Sequence, residues 1–346
     1  MQLLLKIYMV PIWVLGLFGQ SKSFKANPII GARILNILGL HILRVFAAHA
    51  ATYIRWIFLK PMMPRHERKA YHRDGSVVIP DFLDTETVNK VKKDIKKLDV
   101  EPRQMVQGNT FTQRILLDDV VLEKSNKLTR VIESGGFLNR LFYTGAKWHR
   151  PLIYIQRIRN GFVKGRKDPQ KTMHSDTFHP TMKAWLFLQN VEEKHGPFTY
   201  VKGSHRLSWA RVKWEYKRSI DARRIADGYS EKGSFRADID DLKEMGLEGP
   251  KGITVKAGTL VIANTNGFHG RGQAEDGQSR LEIWAYSRHN PFNVFPGFGS
   301  RMIANFEQWV LKRFWSYKDR SAEKKQTKAS WHLIEMDDMF ADHQDL

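Results

Sequence analysis

The sequence predicts a mainly β protein, a sandwich or barrel with helical additions, and three observations carry that expectation. Short runs rich in branched and aromatic residues recur between turn residues, at 75–80, 152–158, 182–188, 198–201, 252–255, 259–263 and 280–287. Helical periodicity is confined to the two ends, to 84–97 and to one charged insertion. The 346 residues also suffice for one large all-β domain carrying helical attachments, without an internal repeat or a low-complexity tract.

Composition narrows the chemistry. The 56 basic and 36 acidic residues leave a formal net charge of +20, a field that attracts phosphates, carboxylates and anionic membranes. Nucleic acid fits poorly, because the basic residues are dispersed and no helix-turn-helix, zinc-finger or RNA-recognition signature is present. The chain has no cysteine, which removes disulfides, thiolate nucleophiles and iron–sulfur clusters, so any metal must be held by His, Asp or Glu.

The N-terminal part reads as membrane-associating. Met1 to Ser21 is apolar apart from Lys6, and its uncharged run from Ile7 to Ser21 is shorter than the ~20 residues of a span. Pro11, Gly16 and Gly19 weaken it as a helix, and no cleavage signal of a secretory leader follows. From 28 to 60 one helix is expected. Arg33, Arg44 and Arg55 recur at close to three-turn intervals and share a stripe with His41 and Thr52, while Ile34, Leu38, Leu43, Phe46 and Ile57 cover the rest. Such a helix lies in the headgroup layer with its arginines on lipid phosphates; the opposite reading buries it with its arginines paired inside. Arg65, His66, Arg68, Lys69, His72 and Arg73 then read as a basic juxtamembrane linker.

A soluble domain is expected from about residue 74, opening with a strand at 75–80 and a charged helix at 84–97. Between Leu207 and Glu248 lies the charged insertion, with its clearest helix from Trp209 to Arg224. The stretch from Asn305 to Lys325 reads as an amphipathic basic helix packing on the core.

The residues that carry chemistry begin with His174-Ser175-Asp176. In extended chain, positions two apart share a face with Cα atoms about 6.6 Å apart, close enough for an imidazole and a carboxylate to reach one ion. The apolar run 258–263 leads through a glycine-rich turn to His269. Two nitrogens and one carboxylate on one face of iron leave open positions for a bidentate keto acid and dioxygen. Arg280, eleven residues beyond His269 at the start of a strand, offers a guanidinium for the far carboxylate of 2-oxoglutarate. His179 before Pro180 reads as a turn residue rather than a substitute ligand, and His205 as structural.

The order of these pieces resembles the phytanoyl-CoA dioxygenase family of iron(II)/2-oxoglutarate oxygenases. The Gly203-Ser204-His205 turn and the opening strand Asp74 to Phe82 are similar to the family's, so the resemblance spans about Asp74 to Pro296. It implies a double-stranded β-helix (jelly-roll, cupin-like) core, with His174, Asp176 and His269 as ligands of Fe(II), Arg280 as the 2-oxoglutarate anchor, Trp185 beside the co-substrate, and O2 as oxidant. Ser175, Lys202 and Arg271 depart from the family's frequent residues at their positions.

These readings divide the chain into a membrane-associating region with a basic linker (1–70), an oxygenase domain (71–300) with the insertion 207–248, and a C-terminal helix and tail (301–346). The expected function is hydroxylation of an amphipathic, anionic lipid, glycolipid or lipopolysaccharide precursor at the cytoplasmic face of a bacterial inner membrane. The resemblance alone points to an acyl-CoA substrate. The rival of another class is a non-catalytic membrane-binding protein that keeps the fold.

Overall fold

In the computed structural model, which describes residues 2–161 and 168–341 with side chains from residue 8 on, the strands are β1 (Ser76–Ile79), β2 (Arg103–Gln107), β3 (Thr110–Leu116), β4 (Leu152–Asn160), β5 (Met182–Phe187), β6 (Phe198–Tyr200), β7 (Lys251–Ile253), β8 (Leu260–Asn264), β9 (His269–Arg271), β10 (Ser279–Ser287) and β11 (His332–Leu333). They form an eight-stranded sheet in the order β1-β8-β5-β10-β4-β3-β2-β11 and a three-stranded sheet in the order β7-β6-β9. Every pairing is antiparallel. Alternation along each strand decides which way a residue faces. In β5, Ala184 and Leu186 enter the core behind the large sheet, where α5 (Thr85–Ile95) packs, while Trp185 and Phe187 enter the core between the sheets. The ring centroids of Trp185 and Phe198, from opposite sheets, are 4.1 Å apart.

The mainly β expectation with helical additions holds. β2 and β3 carry no strand signature in the sequence because polar residues break their alternation, and His174 joins β9 by an isolated bridge rather than from a strand.

The N-terminal helices differ from expectation. α1 (Gln2–Leu17) runs through Pro11, and among the described residues no helix is long and apolar enough to cross a membrane. The side chain of Lys6 lies outside the described residues. The single helix expected over 28–60 is two, α2 (Arg33–Ile37) and α3 (Leu40–Phe58), because Gly39 takes a left-handed φ of 93°. Arg33 is consequently released to the surface, 3.1 Å from Asp221.

Arg44 and Arg55 do not face lipid phosphates: both are buried. Arg44 donates to the carbonyls of Leu17 (3.0 Å) and Ser21 (2.7 Å) and lies over the Phe178 ring. Arg55 donates to Ala146 O (2.8 Å), Thr52 Oγ1 (2.9 Å) and Asn293 O. The two guanidinium groups supply donors to carbonyls of neighbouring segments, which satisfies both when the basic seam turns inward. The outward stripe of α3 is Leu43, Phe46, Tyr53, Ile54, Ile57 and Phe58.

The basic "linker" is a helix, α4 (Arg65–Asp74). Glu67 and Tyr71, four apart on one face, are buried against Arg140 (2.6 Å) and Thr144 O (3.1 Å), and the basic residues take the other face. The insertion's helix is Trp209–Asp221, followed by a short 3-10 turn over Ala222–Arg224. It packs on α2 and α3 and builds a second core from Phe24, Ile30, Trp214, Phe235 and Phe268. The C-terminal helix, Arg301–Glu323, meets the expectation of core packing along one edge only. Leu311 and Trp315 rest on the inter-sheet core, whereas Met302, Phe306, Trp309 and Phe314 are exposed. Residues 342–346 of the expected tail lie outside the described residues.

Candidate metal and co-substrate site

His174, Asp176 and His269 converge. Backbone pairing holds them in place: His174 N donates to His269 O, His269 N to His174 O, and Asp176 N to Thr265 O, each at 2.9 Å. The turn before His269 requires glycine, since a Cβ on Gly267 would lie 2.0 Å from Tyr200 Oη. Ser204 of the Gly-Ser-His turn accepts the Phe268 N–H at 2.8 Å, which ties that turn to the strand presenting His269.

The Nδ1 atoms of His174 and His269 donate to Thr172 O (2.8 Å) and Gly267 O (2.9 Å), leaving the Nε2 lone pairs free. Each Nε2 lies 3.7 Å from Asp176 Oδ1, and the three potential ligand atoms fall within 4.8 Å of one another. His269 Nε2 is buried without a hydrogen-bond partner, the signature of an atom waiting for a ligand the protein does not supply. Burial pushes the His269 imidazole down to about 4 and His174 well below its ordinary value, so both are neutral donors near pH 7. Burial pushes the Asp176 carboxyl up, but Lys183 above all, with the two imidazoles, more than offsets it and holds it well below the usual carboxylate range. The donor set fits a divalent metal ion.

The triad lies in a cavity of about 450 Å³ between the sheets. Arg280, Arg271 and Arg114 line it, as do Trp185, Phe198 and Gln156, with Lys183 and Arg288 on its wall and Phe314 and Trp315 contributed by the C-terminal helix. Arg280 sits on β10 opposite Ile158, its Nε 3.1 Å from Glu282 Oε2 and its Nη1 bonded to Gly196 O. Glu282 in turn accepts from Gln156 Nε2 at 2.5 Å. Trp185 both lines the cavity and belongs to the inter-sheet core.

His179 is buried with its Nδ1 3.1 Å from Pro180 O and stands apart from the metal-ligating group. His205 donates from Nε2 to His72 O at 3.2 Å, a structural contact. Sequence reasoning missed Lys183, whose Nζ is 2.7 Å from Asp176 Oδ2. Its signal was available, since Lys183 precedes Trp185 by two and a strand turns both to one face. It also missed Lys22, which donates to Asp176 O from the N-terminal segment; nothing local marks that contact across 154 positions. Arg271, one of the departures, is half-buried and pairs with the buried Asp168 at 2.5 Å.

An antiparallel β core that gathers two imidazoles, one carboxylate and a facing guanidinium in one cavity is the architecture of the iron(II)- and 2-oxoglutarate-dependent dioxygenases. The family model for phytanoyl-CoA dioxygenase (PhyH) matches residues 71–281, and the chain belongs to that family. A dioxygenase named swnH2 from Arthroderma benhamiae is 21% identical over 172 residues, covering 42% of this chain. The chain spans about half, 53%, of that curated relative's length. Among solved structures, the non-haem α-ketoglutarate-dependent epimerase SnoN from nogalamycin biosynthesis is 16% identical with a TM-score of 0.41, covering 64% of this chain and 80% of its own. HygX from Streptomyces hygroscopicus with nickel and 2-oxoglutarate bound is 17% identical with a TM-score of 0.40, covering 65% and 87%.

Proposed function

We propose that the protein hydroxylates an amphipathic, anionic lipid or glycolipid at the cytoplasmic face of a membrane, with His174, Asp176 and His269 holding ferrous iron and Arg280 anchoring 2-oxoglutarate. The observation that carries the catalytic part is the convergence of two Nε2 atoms and one carboxylate, one Nε2 without a partner, inside a cavity that also presents Arg280. With iron bound, 2-oxoglutarate and dioxygen supply an oxidant for a C–H bond and leave succinate and carbon dioxide. The chain's own work is positional. The carbonyls of Thr172 and Gly267 hold both imidazoles in the ligating tautomer. Glu282 and Gly196 O fix the Arg280 guanidinium, and Trp185 with Phe198 forms an apolar wall that excludes water.

Support for the membrane comes from the outward stripe of α3, the exposed apolar residues Tyr8, Ile12, Leu15 and Phe18 of the N-terminal segment, and Phe306, Trp309 and Phe314 of the C-terminal helix. Large apolar side chains exposed in rows along helices suit an interaction surface.

His174→Ala and Asp176→Ala are expected to lose bound iron and 2-oxoglutarate turnover; either variant retaining both ends the assignment. Arg280→Ala is expected to raise the KM for 2-oxoglutarate. Full activity on free acyl-CoA in salt buffer, with no retention on vesicles, would replace the lipid reading with a soluble thioester.

A further inference from the structure

Asp176 stands among more positive charge than it can balance. Lys183 contacts its Oδ2 at 2.7 Å, and Lys22 donates to its carbonyl. Arg236 bridges His174 through the backbone and keeps Nη1 buried without a hydrogen-bond partner. Arg288 is on the cavity wall, exposed, and makes no ion pair among the described residues. Asp227 acts on Arg236, but Asp176 is the carboxylate acting on both lysines. Elsewhere in the cavity Arg280 has Glu282 and Arg271 has Asp168, while Arg114 donates to Gln156 and lies over the Trp284 ring. Beside Asp176 the surplus therefore lies on the wall formed by Lys183 and Arg288, with Lys22 and Arg236 next to that wall and outside the cavity lining. Like charges held together outside bulk water persist only when a counter-charge is supplied. Asp176 supplies less of it once its Oδ1 turns to a metal ion.

We infer that this wall receives a phosphate-type dianion carried by the substrate, with Lys22 and Arg288 as the residues that meet it and Lys183 and Arg236 beside them. Two ammonium groups and two guanidinium groups offer point and forked donors to three terminal oxygens, which suits a phosphomonoester better than a single carboxylate. Lys22 lies before the family match at 71–281, so the N-terminal segment whose neighbours carry the exposed apolar surface also reaches the backbone of a candidate metal ligand. The inference rests on the proposed oxygenase reading for the cavity's role, and the shared chemistry is a phosphomonoester on either a lipid or a soluble molecule.

The test uses the full chain loaded with zinc in place of iron and with N-oxalylglycine in place of 2-oxoglutarate, so that the Arg280 end is filled. Calorimetric titration with hexyl phosphate is expected to show binding that Lys22→Gln and Arg288→Gln each weaken about tenfold, the double variant more, and Lys22→Arg largely restores. Lys25→Gln, an exposed neighbour with the same charge change, is expected to bind as the parent does, and thermal melts establish that all variants are folded. A second arm compares phosphatidylcholine vesicles with and without phosphatidic acid. A charge-dependent gain on the phosphatidic acid vesicles beyond that for hexyl phosphate assigns the phosphate to a lipid headgroup; equal gains assign it to a soluble phosphoester. Unchanged hexyl phosphate affinity in the folded double variant, or no binding by the parent, overturns the inference. Failure to bind zinc and N-oxalylglycine instead sinks the oxygenase reading, and the charge test still runs on the metal-free protein.

Discussion

Helices α3 and α5 are built on opposite rules. In α5 the N-cap Asp84 accepts the Thr87 N–H at 2.8 Å, Val88, Val91 and Ile95 are buried, and Lys90, Lys93 and Lys96 face water. In α3 the buried side carries His41, Arg44, Thr52 and Arg55 beside the small apolar Val45, Ala48 and Ala51, and the outward stripe is apolar throughout. Burying guanidinium groups is costly unless their donors are used, and here backbone carbonyls of three other segments use them. The contrast teaches that α3 is anchored by a side that carries its polar residues and leaves its largest apolar side chains for another medium.

The largest expected effect lies in the contrast of burying a charge on each helix. Val91→Glu places an unpaired carboxylate in the core and is expected to cost about 4 kcal/mol in urea unfolding, whereas Ile57→Glu is expected to stay within about 0.5 kcal/mol. Equal losses would mean that the α3 stripe packs like α5. Next in size, Phe46→Glu with Ile57→Glu is expected to weaken vesicle binding about a hundredfold, from the loss of roughly 3 kcal/mol of apolar transfer, measured by flotation. Undiminished flotation breaks the link between the stripe and the bilayer.

Acid separates inside from outside in a similar way. Burial pushes the His205 imidazole down to about 4, so the unfolded chain, near 6.5, takes up the proton first. The stability due to keeping it neutral is complete above about pH 6.5 and is lost as the pH falls to about 4, roughly 3 kcal/mol for this group. The outward stripe of α3 has no group titrating in that range, so vesicle binding is expected to outlast the thermal midpoint on mild acidification. The smaller effects grade the three arginines. Arg55→Met strands the carbonyls of Ala146 and Asn293 and is expected to cost about 2 kcal/mol. Arg33→Ala breaks only an exposed pair with Asp221 and is expected to cost under about 0.5 kcal/mol.

Much of the site was legible. His174, Asp176, His269 and Arg280 announce themselves by residue type, spacing and the strand-to-glycine-turn context, because a metal centre needs few donor types and a strand fixes which neighbours share a face. The strands of the central sheet were readable for the same reason. β2 and β3 were not, since polar residues such as Gln104, Gln107, Thr112 and Gln113 interrupt the alternation. Lys22 was illegible because its contact with Asp176 joins two segments through the folded chain and leaves no local pattern.

By itself the sequence determined the donor set, the β core and the fact that Arg44 and Arg55 share a stripe opposite an apolar one. Only the tertiary structure decided that the basic stripe faces protein, that α4 is a helix on the core rather than a linker, and that an N-terminal lysine bonds to the backbone of Asp176. Periodicity reports which residues lie on the same side of an element. It carries no information about which medium that side meets, because that depends on carbonyls and acids brought near from distant parts of the chain.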